Sequence, residues 1–374
     1  MTTTIRPTAE TPASVPPRTP LPPRPSTWER AEFKFWVSGI SAIAVLAAAL
    51  SAAAIAFAST KATKVETATA AAFAGQKIDE TLEPSESFEA RSPEAPVNPG
   101  ATVHRVTLEA TELDLEIAPG VTQTMWTFNG TVPGPTLRGN VGDTFEITLI
   151  NKGENLHSID FHASKVAWNN EMRSIAPGEQ LVYRFTAKHA GIFMYHCGTP
   201  AVIHHIGNGM YGAIIIDPPD LAPVDHEFVM LQSELYTAPK GEVADAEKML
   251  AEAWDGVVFN GYFNQYLHRP IRVEPNERVR IWVLDAGPSE NSSFHVIGTI
   301  FDTVYKEGAY LLQLGQSGGS QALDLQPAQG GFVEFTFDVA GLYPYVTHKF
   351  ASASKGALGM FQAGDVEPVE GASH

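Results

Sequence analysis

The run FTAKHAGIFMY at residues 185–195 returns as FTFDVAGLYPY at 335–345, and Pro177-Gly178-Glu179 returns with it as Pro327-Ala328-Gln329. Self-similarity on that scale commits the chain to two copies of one structural plan. The plan is legible in the segments around it: RVTLEATELDLEIA, TFEITLINKG, EQLVYRFTAK, GAIIIDPP, HEFVMLQSEL, RVRIWVLDAG and GFVEFTFDVAG. These are short runs rich in β-branched and aromatic residues, broken by Gly, Pro and Asn, the pattern of β-sandwiches. Only DAEKMLAEAW, 245–254, has helical spacing. The expectation is an all-β fold of two tandem Greek-key β-sandwiches, 101–221 and 222–368, dividing near PPDLAP at 218–223.

The residues ahead of the repeat read differently. Residues 1–34 begin with a Pro-, Thr- and Arg-rich stretch that cannot bury apolar surface, and a disordered cytoplasmic head is expected. Phe35 to Ala58 carries no charge and is long enough to span a bilayer core of about 30 Å. Arg18, Arg24, Arg30 and Lys34 precede it, against Lys61 and Lys64 after it, so the positive-inside rule places the bulk of the chain outside the cytoplasm, tethered to the cell membrane by one transmembrane helix. A cleaved signal peptide is the alternative, since Ala56-Phe57-Ala58 resembles a processing site. Residues 59–100, acidic and rich in Pro and Ser, read as a flexible linker. A net charge of −17 disfavours nucleic acid and favours a small ligand or a basic protein partner. The single cysteine excludes an intrachain disulfide.

That cysteine stands in YHCGTPAVIHHIGNGMYG, 195–212, with His196 beside it and His204, His205 and Met210 behind. Where the first copy has Tyr195-His196-Cys197, the second has Tyr345-Val346-Thr347, and Ala357 falls opposite Met210. Cys, His and Met are lost together, as residues sharing one task would be. A soft thiolate, two imidazoles and a weak thioether match an electron-transfer copper. Cys197, His205 and Met210 on one strand-loop segment, with His157 from NLHSIDFHA, are the candidate ligands; the choice of His205 over His204 rests on spacing to Met210. His162, five residues beyond His157, and His196, next to Cys197, should point to the opposite face. With His348 of YVTHKF they offer three imidazoles for a second, catalytic metal. His104, His189, His226, His268 and His374 read as hydrogen-bonded or solvated.

HSIDFHA, YHC, HIGNGMYG, FHVIG, THKF and KGALG resemble the motifs of the copper-containing nitrite reductases, two-domain cupredoxin enzymes that work as homotrimers; the likeness spans roughly residues 101–366. The resemblance implies two copper ions per chain: type 1 on His157, Cys197, His205 and Met210, and type 2 on His162, His196 and His348, the last supplied by a neighbouring subunit. It implies that Asp160 and His295 bind and protonate nitrite, and that the electron comes from a small donor, a cytochrome c or cupredoxin, which the acidic charge of this chain expects to be basic. Two other functions compete. A small multicopper oxidase would need a trinuclear cluster of about eight histidines, usually in His-x-His pairs, and none occurs. A tethered cupredoxin carrying only electrons or copper would not need His162 and His348.

Overall fold

The computed structural model describes Phe73 and residues 75–366. The head expected at 1–34, the apolar span at 35–58 and the first part of the linker lie outside the described residues, as does His374. Among the described residues no helix is long and apolar enough to cross a membrane.

The strands form four sheets. In the first half, Val121–Phe128, Val103–Ala118, Thr144–Asn151 and Gln180–Thr186 make one sheet, and Leu137–Asn140, Tyr211–Asp217, Gly191–His196 and Asp160–Phe161 the other. In the second half a six-stranded sheet is centred on His226–Leu235, Arg278–Gly287 and Gly330–Thr336, and a five-stranded one on Leu358–Ala363, Gly341–Thr347 and Ser292–Val296. Pairing signs repeat. Val103–Ala118 runs parallel to Thr144–Asn151 as His226–Leu235 runs parallel to Arg278–Gly287, and Gly191–His196 is antiparallel to Tyr211–Asp217 as Gly341–Thr347 is to Leu358–Ala363. One position shows how closely the copies agree: Gly212 leaves space for the Tyr195 ring and Gly359 for the Tyr345 ring, and a Cβ on either would stand 2.3 Å from ring carbon.

Strand alternation fills three of the hydrophobic cores among the described residues. Tyr195, Cys197, Ile214 and Ile216 face the core inside the first sandwich, whereas Ile192, Met194, Ala213 and Ile215 face a second apolar layer shared with Val229, Trp282 and Phe332 of the other sandwich. Strands buried on both faces explain why GAIIID is continuously apolar. The third core, with Phe228, Phe294, Val333 and Phe361, lies inside the second sandwich.

Two expectations are corrected. Residues 75–100, read as part of a flexible linker, form a strap bound to both sandwiches. Gln76 Nε2 donates to the carbonyls of Thr122 and Ala238, Arg91 Nη1 to that of Pro133, Ala95 N to that of Glu227, and Asn98 Nδ2 to Asp217. Its composition forbids a core of its own, but its backbone groups find partners on strands already built. The segment after Cys197, read as a loop, contains the helix Val202–Gly207, too short to leave a periodic signature. The expected helical stretch is the helix Ala246–Leu250, capped by Asp245 accepting from Glu247 N.

Candidate metal centres

His157 and Cys197 are fully buried and His205 nearly so, and their donor atoms lie within 4.8 Å of one another. Cys197 directly follows the strand Gly191–His196, His205 sits on the short helix, and Met210, also fully buried, directly precedes the return strand Tyr211–Asp217. Met210 is fixed from both sides, since its carbonyl accepts from Cys197 N at 3.1 Å and its N–H donates to His205 O at 3.0 Å. Cys197 Sγ is 3.3 Å from His205 Nδ1 and accepts from Ser158 N at 3.3 Å. Burial alone would raise the thiol pKa, but the neighbouring His157 and His205 imidazoles outweigh it and bring the group to about 5, so the thiolate is the resting form. Burial likewise lowers the pKa of His157, and the facing Cys197 thiolate with the hydrogen bond to Glu112 more than restores it.

Ring orientation decides what this group can hold. His205 turns Nδ1 to the sulfur, whereas His204 turns Nε2 to the carbonyl of Ala244 at 2.8 Å and so ties the helix to the excursion between the strands at 226–235 and 256–259. Trp126 stands against all three rings, at 4.6 Å from His205, 4.8 Å from His204 and 5.8 Å from His157. His157 Nδ1 is buried with no hydrogen-bond partner, which in a bare protein costs about 1–3 kcal/mol. An orphaned imidazole lone pair beside a thiolate, a second imidazole Nδ1 and a buried Met is a donor set for a soft, low-coordinate metal such as copper.

Directly behind it lies a second group, Asp160, His162 and His196. His196 faces away from Cys197, as alternation requires. Its Nδ1 donates to the Cys197 carbonyl at 2.8 Å, which leaves the lone pair on Nε2. That atom is 3.0 Å from His162 Nε2 and 3.9 Å from Asp160 Oδ2. His162 is exposed and Asp160 half-buried, so the group opens to the surface.

His295 and His348 are not brought into this group within one chain. They lie in the second sandwich, their rings 5.6 Å apart, with His295 Nδ1 on the Gln321 carbonyl and His348 exposed. The strand registers explain the split. Asp160 pairs with His196 and His295 pairs with Val346, so Asp160 and His295 occupy the same place in the two repeats. Of the histidines read as bystanders, His104 bonds Asp143, His226 bonds Glu277 and His268 bonds Glu83.

Sequence reading passed over Glu112, whose Oε1 is 2.9 Å from His157 Nε2. Burial would raise its pKa, but hydrogen bonds from His157, Asn155 and Glu154 lower it. In TELDLEIA it reads as one more solvated strand carboxylate, and only the fold brings it to the histidine.

Fold and donor groups together define a two-sandwich, cupredoxin-like metalloprotein. The multicopper oxidase family matches residues 109–221. The copper-containing nitrite reductase of Neisseria meningitidis serogroup A is 36% identical over 278 residues, covering 71% of each chain. The copper nitrite reductase structure from Nitrosomonas europaea is 37% identical with a TM-score of 0.65, covering 72% of this chain and 98% of its own. That of Thermus scotoductus is 31% identical with the same TM-score, covering 71% and 63%. The chain belongs to the copper-containing nitrite reductases.

Proposed function

We propose that this protein reduces nitrite to nitric oxide with two copper ions per chain. The observation that carries the reading is the back-to-back placement of the two donor groups on Cys197 and His196, adjacent residues of one strand end. Copper would supply a one-electron store at the first group and a Lewis acid for a nitrite oxygen at the second. His157, Cys197, His205 and Met210 would hold the first ion. His162 and His196 would hold the second with His348, whose exposure and distance from them in the fold favour its coming from a neighbouring subunit.

The chain's own part is to link, orient and protonate. Between Sγ and the His196 ring runs one short covalent path, and the hydrogen bond from His196 Nδ1 to the Cys197 carbonyl closes a second. Nitrite takes up one electron and two protons; one N–O bond breaks, nitric oxide leaves and the oxygen departs as water. Asp160, half-buried at the mouth of the second group, is placed to hold a substrate oxygen and pass it a proton, and His295, the corresponding residue of the second sandwich, to supply the other across the same interface.

A heterologous contact repeated by each subunit can close as a ring, and the family resemblance implies that the ring is a homotrimer. The acidic chain favours a basic donor, a small cytochrome c or cupredoxin. We place the sandwiches, 101–221 and 222–368, outside the cytoplasm, anchored through 35–58. Anaerobic assay of nitric oxide from nitrite, with copper counted per chain, tests the whole. Two coppers and nitric oxide are expected; about four coppers with oxygen consumption would establish a multicopper oxidase, and one copper without turnover a carrier.

A further inference from the structure

We infer that Glu112 is a positioning residue for the first metal centre, fixing the proton of His157 on Nε2 and lowering the reduction potential of the ion held at Nδ1. The inference rests on the copper reading above for its second half only.

Glu112 lies in the strand Val103–Ala118 opposite Trp126, in a stretch where acidic side chains otherwise meet solvent. Its carboxylate is instead enclosed. It receives His157 Nε2 at 2.9 Å, Glu154 N at 2.9 Å, and Asn155 N and Nδ2 at 3.2 and 3.0 Å. The turn that delivers these donors passes so close that a Cβ on residue 153 would stand 2.2 Å from Glu112 Oε2, and the residue there is Gly153. Surrounded by donors, an ionised carboxylate has nothing to donate, so at His157 it accepts and the ring gives. Nε2 then carries the hydrogen, and the lone pair falls on Nδ1, the buried atom without a partner.

A carboxylate behind a ligating imidazole fixes the tautomer, aligns the ring and makes the ligand more basic. It also puts a negative charge one hydrogen bond and one imidazole ring from where the ion would sit, which favours the more highly charged, oxidised state. Electron uptake at this centre is therefore tuned by a residue of a strand that carries no ligand.

The test uses the full-length protein and has two readouts. In the copper-free form, ¹⁵N spectra of the His157 ring should show the Nε2–H tautomer in the wild type and a mixture of tautomers in Glu112→Ala. In the copper-loaded form, potentiometric titration of the thiolate-to-copper band should show Glu112→Gln, which keeps an acceptor but loses the charge, raising the reduced-to-oxidised ratio about tenfold at a fixed potential, or about 59 mV. An Nδ1–H tautomer in the wild type overturns the inference, and so does an unchanged potential in both variants. A correct tautomer in a protein that binds no copper would leave the positioning role standing and overturn the tuning role together with the copper reading.

Discussion

The two sandwiches make the same hydrogen bond with different residues. Cys197 N donates to Met210 O at 3.1 Å in the first, and Thr347 N to Ala357 O at 3.0 Å in the second. The strands, the register and the tyrosine packed over a glycine are shared, and Thr347 and Ala357 are as buried as the residues they replace. The scaffold thus stands without thiolate, imidazole or thioether. One copy alone carries the donor group, and the other packs the same positions with Thr347 and Ala357.

Unsatisfied polar groups separate the copies too. Among the described residues, the buried side-chain atoms without a hydrogen-bond partner are His157 Nδ1 in the first sandwich and Gln232 Oε1, Asn264 Oδ1, Asp285 Oδ2, Ser292 Oγ and Tyr345 Oη in the second. The first sandwich keeps one orphan, aimed at its donor group. The second carries several with no metal-binding group beside them, and each is an energetic debt met by other means.

The largest test removes the distinction altogether. Cys197→Thr with Met210→Ala makes the first sandwich resemble the second; it should fold and melt as a cooperative unit while losing the colour and one copper per chain. Failure to fold would break the comparison, and retained colour would refute the ligand assignment. Next in size, Asp160→Asn should keep both coppers and cut turnover of nitrite by about 10²- to 10⁴-fold, while reduction of the coloured centre by donor stays normal. A rate near wild type would remove Asp160 from the proton path.

Asp285 sharpens the comparison through pH. Burial first, then the charges of Glu234 and Glu290, push its carboxyl up to about 8 against the opposing N–H of Gly287. An acid whose folded pKa is raised gives its full stability below the unfolded value, near 4, and loses it progressively as pH rises to 8. Denaturant unfolding at pH 5 and pH 8 should show that loss, and Asp285→Asn should diminish it; an equal pH dependence in both proteins would mean that Asp285 is ionised in the fold. The smallest effect compares two hydroxyls. Tyr195 Oη donates to Pro135 O at 2.7 Å, whereas Tyr345 Oη has no partner. Tyr195→Phe should cost about 0.5–1.5 kcal/mol and Tyr345→Phe nothing, or a slight gain, in thermal melts.

How much of this was readable in advance follows from the range of each interaction. Cys197, His205 and Met210 are local to one strand end, so their spacing carries the signal, and the face-switching of His196 follows from strand alternation alone. Glu112 is a carboxylate among many until the register of the strand Val103–Ala118 is known. The strap at 75–100 has no periodicity because its order is borrowed from partners far along the chain. The separation of Asp160 from His295 became visible only when the strand pairings showed them to be the same position in two repeats. The helix Val202–Gly207 is a single short element whose residues suit a loop equally well.

The strap has a consequence for how the chain is made. Its backbone reaches Glu227 and Val229, and Arg91 N meets Gln265 Oε1 across 174 residues of sequence. Synthesis proceeds from the N-terminus, so this segment emerges early and finds partners such as Gln265 and His268 only after the whole first sandwich and the opening part of the second have been made. Closing so long a loop is slow, and the reward comes late. The strap's full docking is therefore expected to follow closure of the first sandwich and to join its end to the start of the second.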